Sequence, residues 1–132
     1  MSTSRQNKEV AVTKAYYEKY AKQWVLSHSD PFRDEDEFVV LASFLHPRAS
    51  VLDIGCAAGA LVPLFLGRGR GLRYQGLDIT KKLISLAQAR YPHLTFSLGD
   101  IANRDTLPRK KFDAFIARAV LMHLPFKLWE SA

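Results

Sequence analysis

Apolar residues follow a helical period in the first third of the chain; from residue 48 onward they form short β-type runs alternating with helical stretches. Over residues 10–26, Tyr16, Tyr20 and Trp24 repeat every four positions on one face and Tyr17 widens it, which predicts an amphipathic helix. Residues 1–9 are polar and predicted to fray. Ser27-His28-Ser29-Asp30-Pro31 breaks the pattern. A second helix is predicted over residues 33–45. Its first turn holds Asp34, Glu35, Asp36 and Glu37, where the helix dipole favours carboxylates, and His46-Pro47 stops it.

Strand one is predicted over residues 51–54. After Gly59 comes a helix bearing Leu61, Val62, Leu64, Phe65 and Leu66, with Pro63 tolerated near its first turn, and Gly67, Gly69 and Gly71 close it. Strand two covers residues 72–77. Thr80 is placed to cap the next helix, whose Leu83, Ile84, Ala87 and Tyr91 share a side until Pro92 stops it. Strand three covers residues 94–98, a short helical turn residues 101–106, and strand four residues 112–117. Pro125 opens one more helical piece.

Strands alternating with helices of this length require right-handed βαβ crossovers and a parallel sheet. The predicted fold class is therefore α/β: a Rossmann-like parallel sheet in the order 3-2-1-4 with helices on both faces. Residues 1–47 form an N-terminal helical cap, and residues 48–132 the sheet domain. Ligands of such sheets bind beyond the carboxyl ends of the strands, at the switch between strands one and four.

Composition narrows the class. The chain has 132 residues and is 48% hydrophobic, enough to build one core. Its longest uncharged run, residues 54–67, is far shorter than the ~20 residues that span a bilayer, and the N-terminus has no apolar signal core. A soluble, cytoplasmic protein without membrane contact is the expectation. One cysteine excludes an internal disulfide framework, and no metal-ligand spacing is present. The net charge of +6 is concentrated partly in Arg68, Arg70 and Arg73 and in Arg109-Lys110-Lys111. These clusters read as solvated loop edges or as a patch for an acidic partner, and without aromatic interleaving they do not indicate nucleic acid.

The chemistry concentrates at strand ends. Asp53, Asp78 and Asp100 each close a strand, so all three converge on one edge of a parallel sheet. Gly55 and Gly59 let a ligand approach the backbone of the first turn. The dinucleotide pattern Gly-x-Gly-x-x-Gly falls here on Gly55, Ala57 and Ala60, so one glycine of three matches. Asp53 would also repel a pyrophosphate, whereas a carboxylate at that point suits a ligand bearing a cation. Several residues keep two readings. The Tyr16, Tyr20 and Trp24 stripe is core packing or a lid over an acceptor. His123 is a packed or capping histidine or a general base. Cys56 is a small filler of a crowded turn or a nucleophile.

Asp53-Ile54-Gly55-Cys56-Ala57-Ala58-Gly59, Asp78-Ile79 and Gly99-Asp100-Ile101 resemble, in order, the cofactor motifs of the class I S-adenosylmethionine-dependent methyltransferases. The segment from Phe112 through Arg118 and His123 to Pro125 is similar to that family's fourth strand and following helix. The resemblance covers roughly residues 48–126 and departs at Ala57, where the family usually carries glycine. It implies S-adenosylmethionine as cofactor and S-adenosylhomocysteine as product. Asp53 would hold the methionyl ammonium, directly or through water, with the Gly55-Cys56-Ala57 turn, Gly59 and the Arg118-Ala119 corner around it. Asp78 would accept from both ribose hydroxyls, Ile79 pack on the adenine, Asp100 accept from its amino group and Ile101 offer a backbone amide. The expected activity is methyl transfer to a small or medium-sized molecule, with Tyr16, Tyr20 and Trp24 on the acceptor side. A complete member has further strands after the fourth. The expectation is thus a chain truncated there, whose Phe115, Ile116 and Ala117 edge invites a homodimer. The alternatives are a non-catalytic binding or interaction module of the same fold and a nicotinamide-dependent oxidoreductase.

Overall fold

The computed structural model describes residues 2–27 and 35–118. Ala119, His123 and the helical piece predicted from Pro125 lie outside the described residues. Helix α1 spans Ser2–Ser27 and α2 Glu35–Ser43, followed by β1 (Ser50–Ile54), α3 (Val62–Arg68), β2 (Arg73–Asp78), α4 (Lys81–Arg90), β3 (Thr95–Leu98), a 3₁₀ turn (Arg104–Thr106) and β4 (Ala114–Ala117). The strands form one parallel sheet in the order β3-β2-β1-β4, as the alternation predicts. On β1 Val51, Leu52 and Asp53 are all buried, the pattern of a central parallel strand covered on both faces. Asp53 stands beside Gly76 on one side and Ile116 on the other.

Three apolar clusters hold helices around this sheet. Phe38 and Ala42 of α2 pack with Val51, Leu61, Leu64 and Phe65. Cys56, Val62, Ala87 and Phe96 form a second cluster, joined by Tyr74 and Tyr91. The third sits on the turn after β1, where Ala21 of α1 meets Ala57, Ala58 and Leu83, flanked by Tyr17, Trp24 and Val25. This third cluster shifts the inward face of α1 from the predicted one. Tyr16 and Tyr20 are exposed at 54% and 37%, while Tyr17, Ala21 and Trp24 turn toward the domain. A strict four-residue repeat drifts around a helix by about 40° per step, and the spacing of Tyr17, Ala21 and Trp24 corrects that drift. The backbone also leaves helical geometry at Tyr20, with φ −111° and ψ 20°. Residues 2–9, predicted to fray, continue the helix, because Arg5, Gln6, Lys8 and Glu9 are all good helix formers.

A second difference concerns the start of α4. Thr80 occupies the N-cap position, but its side chain makes no capping hydrogen bond. The cap comes from α1: Lys81 N–H donates to Glu18 Oε1 at 2.7 Å and Lys82 N–H to Glu18 Oε2 at 3.3 Å. A carboxylate there meets both the orphan amides and the positive end of the dipole. The basic cluster after α3 is also partly engaged. Arg68 Nε lies 2.9 Å from Glu35 Oε1, and Arg73 Nε donates to Arg48 O at 2.9 Å.

At the opposite edge from the strand ends, Asp113 ties β4 to β1. Its Oδ2 accepts from Ser50 N–H at 2.8 Å and from the Ser50 hydroxyl at 3.2 Å, while Asp113 N–H donates to Ser50 O at 2.9 Å. These bonds, with help from His46 and Arg73, hold the Asp113 carboxyl below its ordinary value. Phe115 of β4 is 62% exposed.

The tie between α1 and α4 predicts a measurable cost. Glu18→Ala should lower stability by about 1 kcal/mol, the size of a lost helix cap. Urea denaturation should show an earlier midpoint with an unchanged slope. An unchanged midpoint would mean that Glu18 contributes nothing to holding α1.

Candidate cofactor site

β1 delivers the chain into a turn held against β2. Gly55 N–H and Cys56 N–H both donate to Leu77 O, at 2.7 and 3.0 Å. Sharing one acceptor forces a sharp reversal, and Gly55, Ala57 and Gly59 all take left-handed φ values of 72°, 52° and 83°. Alanine in that region is strained by about 1 kcal/mol relative to its helical conformation. Two contacts offset this at Ala57: its N–H donates to Asp78 Oδ2 at 2.9 Å, and its methyl is buried against Ala21, Ala58 and Leu83. The substitution of alanine for the family's glycine is thus accommodated by packing from α1.

Asp78 is the hub of this edge. Its Oδ2 holds the turn through Ala57 and its Oδ1 accepts from Thr80 N–H at 2.9 Å. Burial raises its pKa, and the Thr80 and Ala57 amides oppose the rise. The fully buried Thr80 hydroxyl adds electrostatic support without reaching hydrogen-bonding geometry. Asp78 O accepts from Gly99 N–H at 2.9 Å, which joins the end of β2 to the end of β3. There Asp100 Oδ1 accepts from Ala102 N–H at 2.9 Å, and Asp100 N–H donates to Thr106 Oγ1 at 2.8 Å. Each carboxylate oxygen has two lone pairs, so both acids keep accepting capacity for ligand hydroxyl or amino groups.

Asp53 differs in kind. It is only 2% exposed, and its Oδ2 accepts from the Tyr74 hydroxyl at 2.8 Å. Burial pushes its pKa up to about 7, against the Tyr74 hydrogen bond and the Arg118 guanidinium, with Asp78 adding to the rise. Beside it Cys56 is buried, and burial followed by the nearby Asp53 and Asp78 charges pushes the thiol up. That environment opposes the thiolate a nucleophile needs.

Asp53, the Gly55–Gly59 turn, Asp78 and Asp100 thus come together along the carboxyl edge of the sheet. They divide by exposure. Gly55, Asp78, Ile79, Asp100 and Ile101 are half-buried and Arg118 is exposed, so these can meet a ligand. Asp53, Cys56, Ala57 and Gly59 are buried and shape the edge from beneath. The exposed rings of Tyr16 and Tyr20 lie 5.0 Å apart on α1, and Trp24 is half-buried against Tyr17. Burial raises the Tyr17 phenol and the Asp78 charge adds to it, so α1 passes close to the end of β2. Sequence reasoning missed Tyr74 and Glu18 as contributors, and named Tyr17 only as widening the face of α1. Tyr74 and Gly76 are two apart on β2 and so share a face, but only the register with β1 puts that face beside Asp53.

The arrangement is that of the class I S-adenosylmethionine-dependent methyltransferases. A family model described as a methyltransferase domain matches residues 51–132, and the chain belongs to that family. A trans-aconitate 2-methyltransferase from Sinorhizobium medicae is 33% identical over 79 residues, covering 60% of this chain and 30% of that protein. One from Methylobacterium radiotolerans is 35% identical over 79 residues, covering 60% and 29%. The aligned stretch thus spans under a third of these relatives. Among solved structures, magnesium protoporphyrin IX methyltransferase from Synechocystis with bound S-adenosylmethionine superposes with a TM-score of 0.69 at 22% identity, covering 93% of this chain and 66% of that one. A TehB-like methyltransferase from Corynebacterium glutamicum gives 0.67 at 23% identity, covering 89% and 63%. At identities this low the superpositions show the shared fold alone. No described helix is long and apolar enough to cross a membrane, and no described His, Cys, Asp and Glu side chains group to hold a metal.

The buried Asp53 generates a pH prediction. Its folded pKa of about 7 lies above the ordinary carboxylate value of 3.8, so between those limits the folded state binds more protons than the unfolded one. Its contribution is fully present below the lower value and lost as pH rises through about 7. Ligand-free stability should therefore fall from about pH 4 to about pH 7 in the original chain, and Asp53→Asn should flatten that slope. Thermal melts across the range provide the check, and parallel slopes in the two proteins would refute the assignment.

Proposed function

We propose that this chain binds S-adenosylmethionine along the carboxyl edge of its sheet and forms the cofactor-binding part of a methyltransferase for a small or medium-sized acceptor. The observation that carries the reading is Asp78: a half-buried carboxylate at the end of the second strand, clamped by the Ala57 and Thr80 amides, with accepting capacity left on each oxygen. The two hydroxyls of a ribose match such a group. Ile79 and Ile101, both half-buried, suit the faces of an adenine, and Asp100 suits its amino group. The left-handed turn from Gly55 to Gly59 and the Arg118-Ala119 corner would border the methionine moiety, with Asp53 supplying negative charge for its ammonium from beneath. Cys56 would serve as packing in the turn.

The bound cofactor supplies a sulfonium-activated methyl group. The chain's residues then contribute alignment and water exclusion, since charge is dispersed as a neutral or anionic acceptor attacks the sulfonium. His123 would take a proton from an acceptor that carries one at the reacting atom. A carboxylate acceptor, suggested by the names of the trans-aconitate relatives, needs no base, and a chain of net charge +6 attracts polyanions. Tyr16, Tyr20 and Trp24 on α1 would border the acceptor side.

Calorimetry with S-adenosylhomocysteine tests this reading. Saturable binding below millimolar ligand is expected, and Asp78→Asn should weaken it about tenfold or more, the order of one charge-assisted hydrogen bond. Undetectable binding at millimolar ligand by folded protein would sink the proposal.

A further inference from the structure

Tyr74 is a polar side chain of the sheet interior that the functional reading leaves unused. Its ring lies between Phe65 of α3, at 4.9 Å, and Phe96 of β3, at 5.8 Å, both edge-on. An aromatic at this place needs no hydroxyl to pack, and a buried phenol must find a partner. The partner is Asp53 Oδ2, at 2.8 Å on the neighbouring strand. Gly76 makes the reach possible. It pairs with Asp53 in the register, and a Cβ there would stand 3.0 Å from the Tyr74 hydroxyl, 2.8 Å from Cys56 Sγ and 2.7 Å from Phe96 Cδ1. Its missing side chain is the space through which the hydroxyl crosses.

We propose that Tyr74 is a positioning residue for cofactor binding: its hydroxyl, passing over Gly76, anchors one oxygen of the Asp53 carboxylate and so fixes the charge that lies beneath the cofactor's ammonium. The inference rests on the S-adenosylmethionine reading above and adds to it the residue that controls Asp53. The ionisable groups facing Asp53 among the described residues are the Tyr74 phenol and Asp78 from β2, the Cys56 thiol from the turn and Arg118 beyond β4. Tyr74 and Arg118 favour the carboxylate, while burial and Asp78 oppose it. Tyr74 is the donor with a defined hydrogen bond to Asp53 from within the sheet. Removing it leaves a buried carboxylate with less support and more freedom to turn. Affinity for a cationic ligand then falls, and the pH at which affinity rises moves upward.

The experiment measures S-adenosylhomocysteine affinity by calorimetry between pH 5.5 and 8.5 for the original chain, Tyr74→Phe, Asp53→Asn and the double variant. Phenylalanine keeps the ring and removes only the donor. Tyr74→Phe should bind about fivefold more weakly, near the net worth of one hydrogen bond, with its pH midpoint displaced upward. In the Asp53→Asn background the same change should have no effect, because the pair acts as one unit. A lower melting temperature with unchanged affinity and midpoint would assign Tyr74 to packing alone and overturn the proposal. So would an equal loss in the presence and absence of the Asp53 charge. No binding by the unmutated chain would instead overturn the cofactor reading, and the proposal with it. A measurement on the unmutated protein covers a folding failure of the variant. The hydrogen-bonded Tyr74 hydroxyl proton, followed by NMR, should shift on addition of S-adenosylhomocysteine, and an unmoved signal in the bound protein overturns the inference.

Discussion

The bond from Ala57 N–H to Asp78 Oδ2 joins the first turn of the sheet domain to the end of its second strand, and the candidate site depends on it. Three of the five residues from Gly55 to Gly59 are left-handed, and at Ala57, the non-glycine among them, that conformation is disfavoured. The strand next to β1 supplies support. Leu77 O takes two amides of the turn and Asp78 takes a third. The same carboxylate starts α4 through Thr80 and meets β3 through its backbone carbonyl. One residue thus sets the relative positions of a turn, a helix and a neighbouring strand end.

The carboxylates of the edge then separate by environment. Asp78 and Asp100 are half-buried and spend part of their accepting capacity on local amides. Asp53 is withdrawn into the sheet, and its charge is opposed by burial and supported by a phenol and a guanidinium. A group so balanced responds to small changes around it, whereas a fully solvated aspartate would not. Burying a charge that is only partly compensated costs stability, and such costs are commonly retained where a ligand later supplies the missing partner.

Helix α1 packs on this edge. Ala21 closes on Ala57 and Ala58, Glu18 caps α4, and Tyr17 stands in the field of Asp78. The small side chains of Ala21, Ala57 and Ala58 let the helix come close to the turn. The strain at Ala57 and the docking of α1 are therefore linked: the methyl that makes the left-handed conformation unfavourable is the one that packs against α1.

Much of this was legible in the residues themselves. Short apolar β-type runs alternating with helical ones define a parallel α/β sheet in the order 3-2-1-4, and the strand-terminal Asp53, Asp78 and Asp100 mark its candidate ligand edge. These features are local, and local patterns survive into the fold because each is set by backbone geometry and by which face is buried. What the sequence could not settle involves pairs far apart in the chain. The reach of Tyr74 over Gly76 to Asp53 depends on the register of two strands, which no spacing encodes. The cap that Glu18 provides displaced the one expected of Thr80, because a carboxylate from α1 reached the same amides. Of the predicted aromatic face of α1, Tyr17 and Trp24 turn inward beside Ala21, while Tyr16 and Tyr20 stay exposed, because it is Ala21 that meets Ala57 and Ala58. Sequence determined where the strand-end acids lie. Tertiary structure decided which of them is buried, which stays open, and what holds each in place, because burial and hydrogen-bond partners are properties of neighbours in space.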